Sequence, residues 1–177
     1  CLAMIEAAAS GVASSVDPGR PGLQGMLIHG SWGLGVGTVG GSVSPDSWTV
    51  SKDPDQKVLR SSPGSKESSV EAGPRGGVES VPVPEELRGS LCLTDSQVKE
   101  LACLVMAAEA HYRAPQELEW ALDRSGRLFL LQSRPVHFSK TEALQEEPPR
   151  EVDGHMLLLT GPSASGGCAS GPVFLSQ

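Results

Sequence analysis

The stretch from Pro115 to Pro135, PQELEWALDRSGRLFLLQSRP, decides how the rest of the chain is read. Leu118, Trp120 and Leu122 alternate with Glu117, Glu119, Ala121 and Asp123, the period-two pattern of a half-buried strand. Ser125-Gly126 is a turn dipeptide, and the run from Arg127 to Arg134 that follows is rich in Leu and Phe. A two-residue turn at Ser125-Gly126 sets Arg124 across from Arg127, Trp120 across from Leu131, Glu119 across from Gln132 and Glu117 across from Arg134. Leu118, Trp120, Leu122, Phe129 and Leu131 then share one face, fit for a core. Glu117, Glu119, Gln132 and Arg134 share the other face, at the end away from the turn.

Two readings of that polar face stand side by side. A carboxylate and an amide oxygen are hard donors that suit magnesium, which usually keeps waters and phosphate oxygens as its other ligands. A guanidinium supplies a planar fork for phosphate. The plainer reading is a solvated face with a Glu-Arg cross-strand pair.

Working outward, Thr94–Tyr112 reads as a helix. Thr94 caps it, with Gln97 three residues on as a capping box, and Asp95 sits in the first turn where the helix dipole favours it. Val98, Leu101, Val105, Ala108 and Tyr112 form one stripe, set to pack on Trp120, Phe129 and Leu131. His111 and Arg113 suit the C-terminus, and Pro115 stops the helix. Upstream, Met26–Trp32 and Trp48–Lys52 read as strands. Asp53–Glu86 reads as a long exposed excursion with short strands near Val58-Leu59 and Val78–Val83. Within it, Gly64-Ser65-Lys66-Glu67 lacks the spacing and strand-helix context of a P-loop, and Lys66 reads as a solvated charge. Gly35–Gly40 satisfies G-x-G-x-x-G, but Gly41, Ser42, Ser44 and Pro45 oppose the helix that a dinucleotide fingerprint needs.

Several of these segments together resemble the phosphoenolpyruvate synthase and pyruvate phosphate dikinase family. The family pattern P-Q-D-I-E-W-A, a hairpin, then L-Q-S-R-P stands here as Pro115–Ala121 and Leu131–Pro135, with Glu117 in place of Asp. Met4, Ala8, Ser10, Gly11, Val12, Asp17 and Pro18 match a second stretch, where Leu2 replaces a frequent Gln and Ala13, Ser14 and Ser15 replace larger residues and Thr. Gly33, Leu34, Gly35, Val39, Gly41, Val43, Pro45 and Asp46 match a third, where Val36 replaces a Glu. Gly64, Lys66 and Glu67 are similar to its G-x-K-E, and Glu109, His111 and Tyr112 to its E-x-H-Y, read here as structural. Gly161–Val173 resembles the opening of the family's swivelling phosphohistidine domain.

The resemblance implies an α+β fold: the C-terminal half of an ATP-grasp nucleotide-binding domain over residues 1–137, with long loops. An acidic linker follows over 138–155, then the first strands of a swivelling domain over 156–177. It implies ATP and Mg2+ as cofactors. It assigns Glu119 and Gln132 to the metal, Glu117, Glu119, Gln132 and Arg134 to the nucleotide, and Arg134 to catalysis by contact with a transferring phosphate. The activity implied for the intact protein is phosphorylation by ATP of a mobile His, which passes phosphate to a small-molecule acceptor such as pyruvate. A rifamycin-type acceptor, or a degenerate homologue that only binds a partner, remains open.

Composition bounds the rest. The chain has 177 residues, opens on Cys1 and ends at Gln177 in a strand-like run, so both ends read as cuts in a longer polypeptide. With 21 Gly and 14 Pro, much of it should be loop. A formal net charge of -7 argues against general binding to nucleic acid or an acidic membrane, which want a basic surface. Cys1, Cys92, Cys103 and Cys168, and the four histidines, lack metal-ligand spacing. The cysteines read as free thiols in a reducing, cytoplasmic compartment. No apolar run approaches the roughly 20 residues of a membrane helix.

Overall fold

The small-residue strand β1 (Ala7–Ser14) sits near the middle of a six-stranded sheet in the computed structural model, which describes residues 5–17, 25–35, 44–73 and 76–136. The sheet order is β4-β3-β2-β1-β7-β8, with β2 at Gly25–Trp32, β3 at Asp46–Ser51, β4 at Val58–Ser62, β7 at Gln116–Asp123 and β8 at Leu128–Pro135. Each neighbouring pair in it is antiparallel. β5 (Ser68–Ala72) and β6 (Val78–Pro82) pair as a separate hairpin. Among the described residues the helices are α1 (Glu85–Arg88) and α2 (Asp95–Tyr112), and neither is long and apolar enough to cross a membrane. The fold is α+β. The linker and swivelling-domain expectations, and most of the glycine run, lie outside the described residues.

The alternation read from the sequence places the core. Leu118, Trp120 and Leu122 of β7 are buried with Ala9 and Ala13 of β1, Met26 and Ile28 of β2, and Trp48 and Val50 of β3. α2 covers this side with Val98, Leu101, Ala102 and Val105. Its start is capped as expected: Thr94 Oγ1 accepts from the Gln97 backbone at 3.3 Å, and Gln97 Oε1 accepts from the Thr94 backbone at 2.9 Å. Arg113 closes it in the left-handed region at φ 54°. Tyr112 ends the apolar stripe in solvent, 56% exposed. Glu109 acts structurally, its carboxylate taking the Lys52 ammonium at 2.7 Å and tying α2 to the end of β3.

Glycine is required where the indole of Trp120 crosses the sheet. Gly11 lies opposite Gly30 on one side and Trp120 on the other. A Cβ on Gly30 would lie 2.7 Å from Trp120 Cζ2 and 2.9 Å from Cη2, too close for a packed ring to absorb without moving. Gly30→Ala is therefore expected to lose about 1–3 kcal/mol through overpacking, read as a lower urea midpoint. An unchanged midpoint would mean that the indole is free to shift.

Two expectations about the hairpin need correction. The turn holds three residues, because Asp123 pairs with Arg127 through a 3.0 Å backbone bond, so Arg124 does not face Arg127. Asp123 Oδ1 accepts from the Ser125 and Arg127 backbones at 2.8 and 2.9 Å, and Gly126 takes φ 85°, the left-handed position of a three-residue hairpin loop. These bonds, the Ser125 hydroxyl first, hold the Asp123 carboxyl below its ordinary pKa. The pairing near the turn is thus one residue off, with Trp120 opposite Leu130, and an irregularity between Glu119 and Trp120 restores the expected register beyond it. Phe129 and Leu131 accordingly leave the core. Phe129 pairs with Ala121 and stays half-buried under the Arg127 guanidinium, 4.7 Å from its ring centre. Leu131, extruded at the bulge, is 52% exposed.

Lys66 is a third correction. It is fully buried and ion-paired with Asp46. Asp46 Oδ1 also accepts from the Gly64 backbone at 2.8 Å, and Oδ2 from the Cys92 backbone at 2.7 Å. One carboxylate thus joins the start of β3, the loop after β4 and the approach to α2. The thiol of Cys92, desolvated and beside that carboxylate, has its pKa pushed far up.

Candidate functional site

The face of the sheet turned away from α2 carries the four residues singled out in the hairpin. Side chains alternate along a strand, so burying Leu118 and Trp120 against α2 turns Glu117 and Glu119 outward. β8 follows in register: Glu117 pairs with Arg134, and Glu119 with Gln132. The bulge is what makes this hold, since the turn alone would have shifted the pairing by one.

Arg134 is oriented by Glu117. Its Nε donates to Glu117 Oε1 at 2.7 Å, and Nη2 donates to the same oxygen. That hydrogen bond, with the charges of Glu117 and then Glu119, raises the guanidinium pKa further, so the cation is permanent. Glu117 is the more enclosed partner and Arg134 the more exposed one, so the guanidinium is anchored at one edge and open to solvent at the other.

Glu119 and Gln132 face one another on adjacent strands, where Cβ atoms of such a pair lie roughly 4.5–5.5 Å apart. Their oxygens are hard donors. Among the described residues no group of three or more His, Cys, Asp or Glu gathers to hold a metal. The pair therefore suits a magnesium ion that arrives with phosphate oxygens and keeps its waters, for which one or two protein oxygens suffice. It does not suit a metal needing a full protein cage.

Further along this face, Val12 of β1 flanks Glu119, and His29 of β2 flanks Val12. Ser14 flanks Glu117. β1 and β2 thus extend this face beyond the hairpin, with Ser14 and His29 polar and Val12 apolar. Gly33, at φ 79°, leads from β2 toward the glycine run. Ser10 donates to its carbonyl at 2.6 Å, and the next amide, Leu34, bonds the Val70 carbonyl at 2.7 Å. The β5–β6 hairpin therefore braces the entrance to that run.

Comparison with known proteins identifies the family. The family model described as the pyruvate phosphate dikinase AMP/ATP-binding domain matches residues 1–154. The chain is 33% identical over 174 residues to a probable phosphoenolpyruvate synthase of Methanocaldococcus jannaschii, covering 96% of this chain and 14% of that protein. It is 35% identical over 180 residues to the phosphoenolpyruvate synthase of Pyrococcus furiosus, covering 97% of this chain and 22% of that protein. A rifampicin phosphotransferase of a Streptomyces species is 33% identical over 133 residues, covering 75% of this chain and 15% of that protein. The chain thus spans less than a quarter of the length of these three relatives.

Proposed function

The chain belongs to the pyruvate phosphate dikinase AMP/ATP-binding domain family, and from that premise we propose that it is the second half of an ATP-grasp nucleotide-binding domain in an ATP-dependent phosphotransferase. Membership supports nucleotide binding and phosphotransferase-type chemistry. The observation that carries the residue assignment is the pairing of Glu119 with Gln132 beside Arg134 on one sheet face. Glu119 and Gln132 hold the magnesium that accompanies the ATP phosphates. Arg134, steered by Glu117, contacts a phosphate through the part of its guanidinium turned to solvent. When bound, the metal supplies charge neutralisation on the phosphates; the protein's own work is positioning and electrostatic stabilisation.

In the intact protein the phosphate passes through a mobile His to a small acceptor, in the manner of a phosphoenolpyruvate synthase. The identity with the rifampicin phosphotransferase supports a second reading, in which the same ATP half serves an antibiotic acceptor. Val36, Leu2 and the Ala13–Ser15 replacements favour a third, a degenerate homologue that binds a partner and performs no transfer.

Calorimetric titration of the intact protein with ATP, with and without magnesium, tests the nucleotide assignment. Magnesium-dependent binding is expected, and no binding in either condition would leave only the homologue that does not transfer. Arg134→Lys keeps the charge and loses the fork. Losing a charge-assisted hydrogen bond in the transition state lowers single-turnover transfer by roughly 10- to 100-fold. Stability should hardly change, because an exposed pair contributes little. Transfer at the wild-type rate would remove Arg134 from the site.

A further inference from the structure

Five buried side-chain polar atoms make no hydrogen bond among the described residues: Ser14 Oγ, His29 Nδ1, Ser31 Oγ and the indole nitrogens of Trp48 and Trp120. The two indoles belong to the core. The other three lie on the opposite face of β1 and β2, the face that carries Glu117 and Glu119. Unmet buried polar atoms are rare in native structures, and each calls for an account, a bound ligand among them. His29 is the one of the three that is only half-buried.

His29 lies in one cross-strand row with Glu119, with Val12 between them. Two strand spacings put it about 10 Å from Glu119, a separation to be spanned by one extended ligand. Burial lowers its pKa, against smaller opposing effects from a backbone hydrogen bond at Asp46 and from the Asp17 carboxylate. The ring is then neutral near pH 7 and meets a ligand through Nδ1, its unpartnered nitrogen, rather than through a charge. The negative charge of Asp17 acting on the same ring disfavours a phosphate there. Val12 and Leu27, partly buried beside it, are apolar. The surroundings therefore fit an uncharged, hydroxyl-bearing part of a ligand whose phosphates lie at β7–β8.

We propose that His29 is a further ligand-contacting residue of this face, hydrogen-bonding a ribose hydroxyl of the nucleotide whose phosphates meet Glu119, Gln132 and Arg134. The proposal rests on the nucleotide reading above and adds a ribose contact to it.

Binding of magnesium-ATP, magnesium-2′,3′-dideoxy-ATP and magnesium tripolyphosphate to the intact protein tests it. Wild type should bind ATP about five- to tenfold more tightly than the dideoxy nucleotide, the size of one neutral hydrogen bond. His29→Ala should erase that gap and leave tripolyphosphate binding unchanged. His29→Asn, which keeps a donor and an acceptor, should restore part of it. Equal affinity of wild type for ATP and the dideoxy nucleotide would overturn the proposal without any variant. So would an undiminished gap in His29→Ala, or an equal loss of ATP and tripolyphosphate. Wild type that bound none of the three would instead bring down the nucleotide reading itself.

Discussion

Glu119→Gln in the intact protein is expected to lower single-turnover phosphoryl transfer from ATP by about 10²- to 10³-fold, on the scale of the several kcal/mol that a metal contributes to charge stabilisation. The substitution keeps the size of the side chain and removes its charge. Glu119 makes no ion pair among the described residues and sits on the face away from α2, so its loss leaves the core of Leu118, Trp120 and α2 untouched. The unfolding free energy should therefore change by no more than an ordinary surface substitution changes it, about 0.5 kcal/mol. Magnesium dependence separates the site from a general defect: raising the magnesium concentration should recover part of the lost rate in the variant. Transfer at the wild-type rate would show that the metal is held elsewhere.

The second large effect is on stability. Asp46→Ala should lose about 3–5 kcal/mol, the cost of leaving one member of a buried ion pair alone. Lys66 is fully buried and, among the described residues, has Asp46 and the Gly64 carbonyl, at 3.2 Å, to receive its protons. The Gly64 and Cys92 amides lose their acceptor in the same step. Asp46→Asn should be nearly as harmful, since an amide presents NH2 to one of the two backbone donors and leaves the Lys66 charge uncompensated. Lys66→Met tests the pair from the other side, and the double variant Asp46→Leu/Lys66→Met removes both charges. The double variant should lose less than the two single losses added together, a coupling that a cycle measures directly. It should not return to wild-type stability, because two backbone amides still lack a partner. Single losses below about 1 kcal/mol would match a solvated surface pair and contradict the burial described.

The hairpin shows how far local pattern reaches. Alternation alone placed Leu118, Trp120 and Leu122 inward, but the pairing of Glu119 with Gln132 was read from a two-residue turn that the chain does not have, and it holds because the bulge offsets the longer loop. The same turn misplaced Phe129 and Leu131. The carboxylate of Asp123, accepting two bonds from Ser125 and one from the Arg127 backbone, selects a longer loop than Ser125-Gly126 suggests. The bulge that compensates has no local signature. β8 is also an edge strand, so even Leu130, in register with Trp120, stays 43% exposed.

Lys66 was illegible for another reason. A lysine in a Ser- and Gly-rich loop is usually solvated, and its partner Asp46 stands 20 positions earlier, a pairing that no helical or strand period reveals. The polar strand β5 gave no alternation to read. The extension of the polar face to His29 needed the sheet order, because β2 and β7 are brought to the same sheet by β1 lying between them. The cap of α2 was legible because Thr94 and Gln97 satisfy each other locally.

The most direct measurement is a structure of the intact protein with magnesium and a non-hydrolysable ATP analogue. The account predicts a metal ligated by the Glu119 carboxylate and the Gln132 amide oxygen, bridging the analogue's phosphates, with Arg134 on a phosphate oxygen. Phosphates and metal bound away from the β7–β8 face, with Glu119 and Gln132 in solvent, would contradict it.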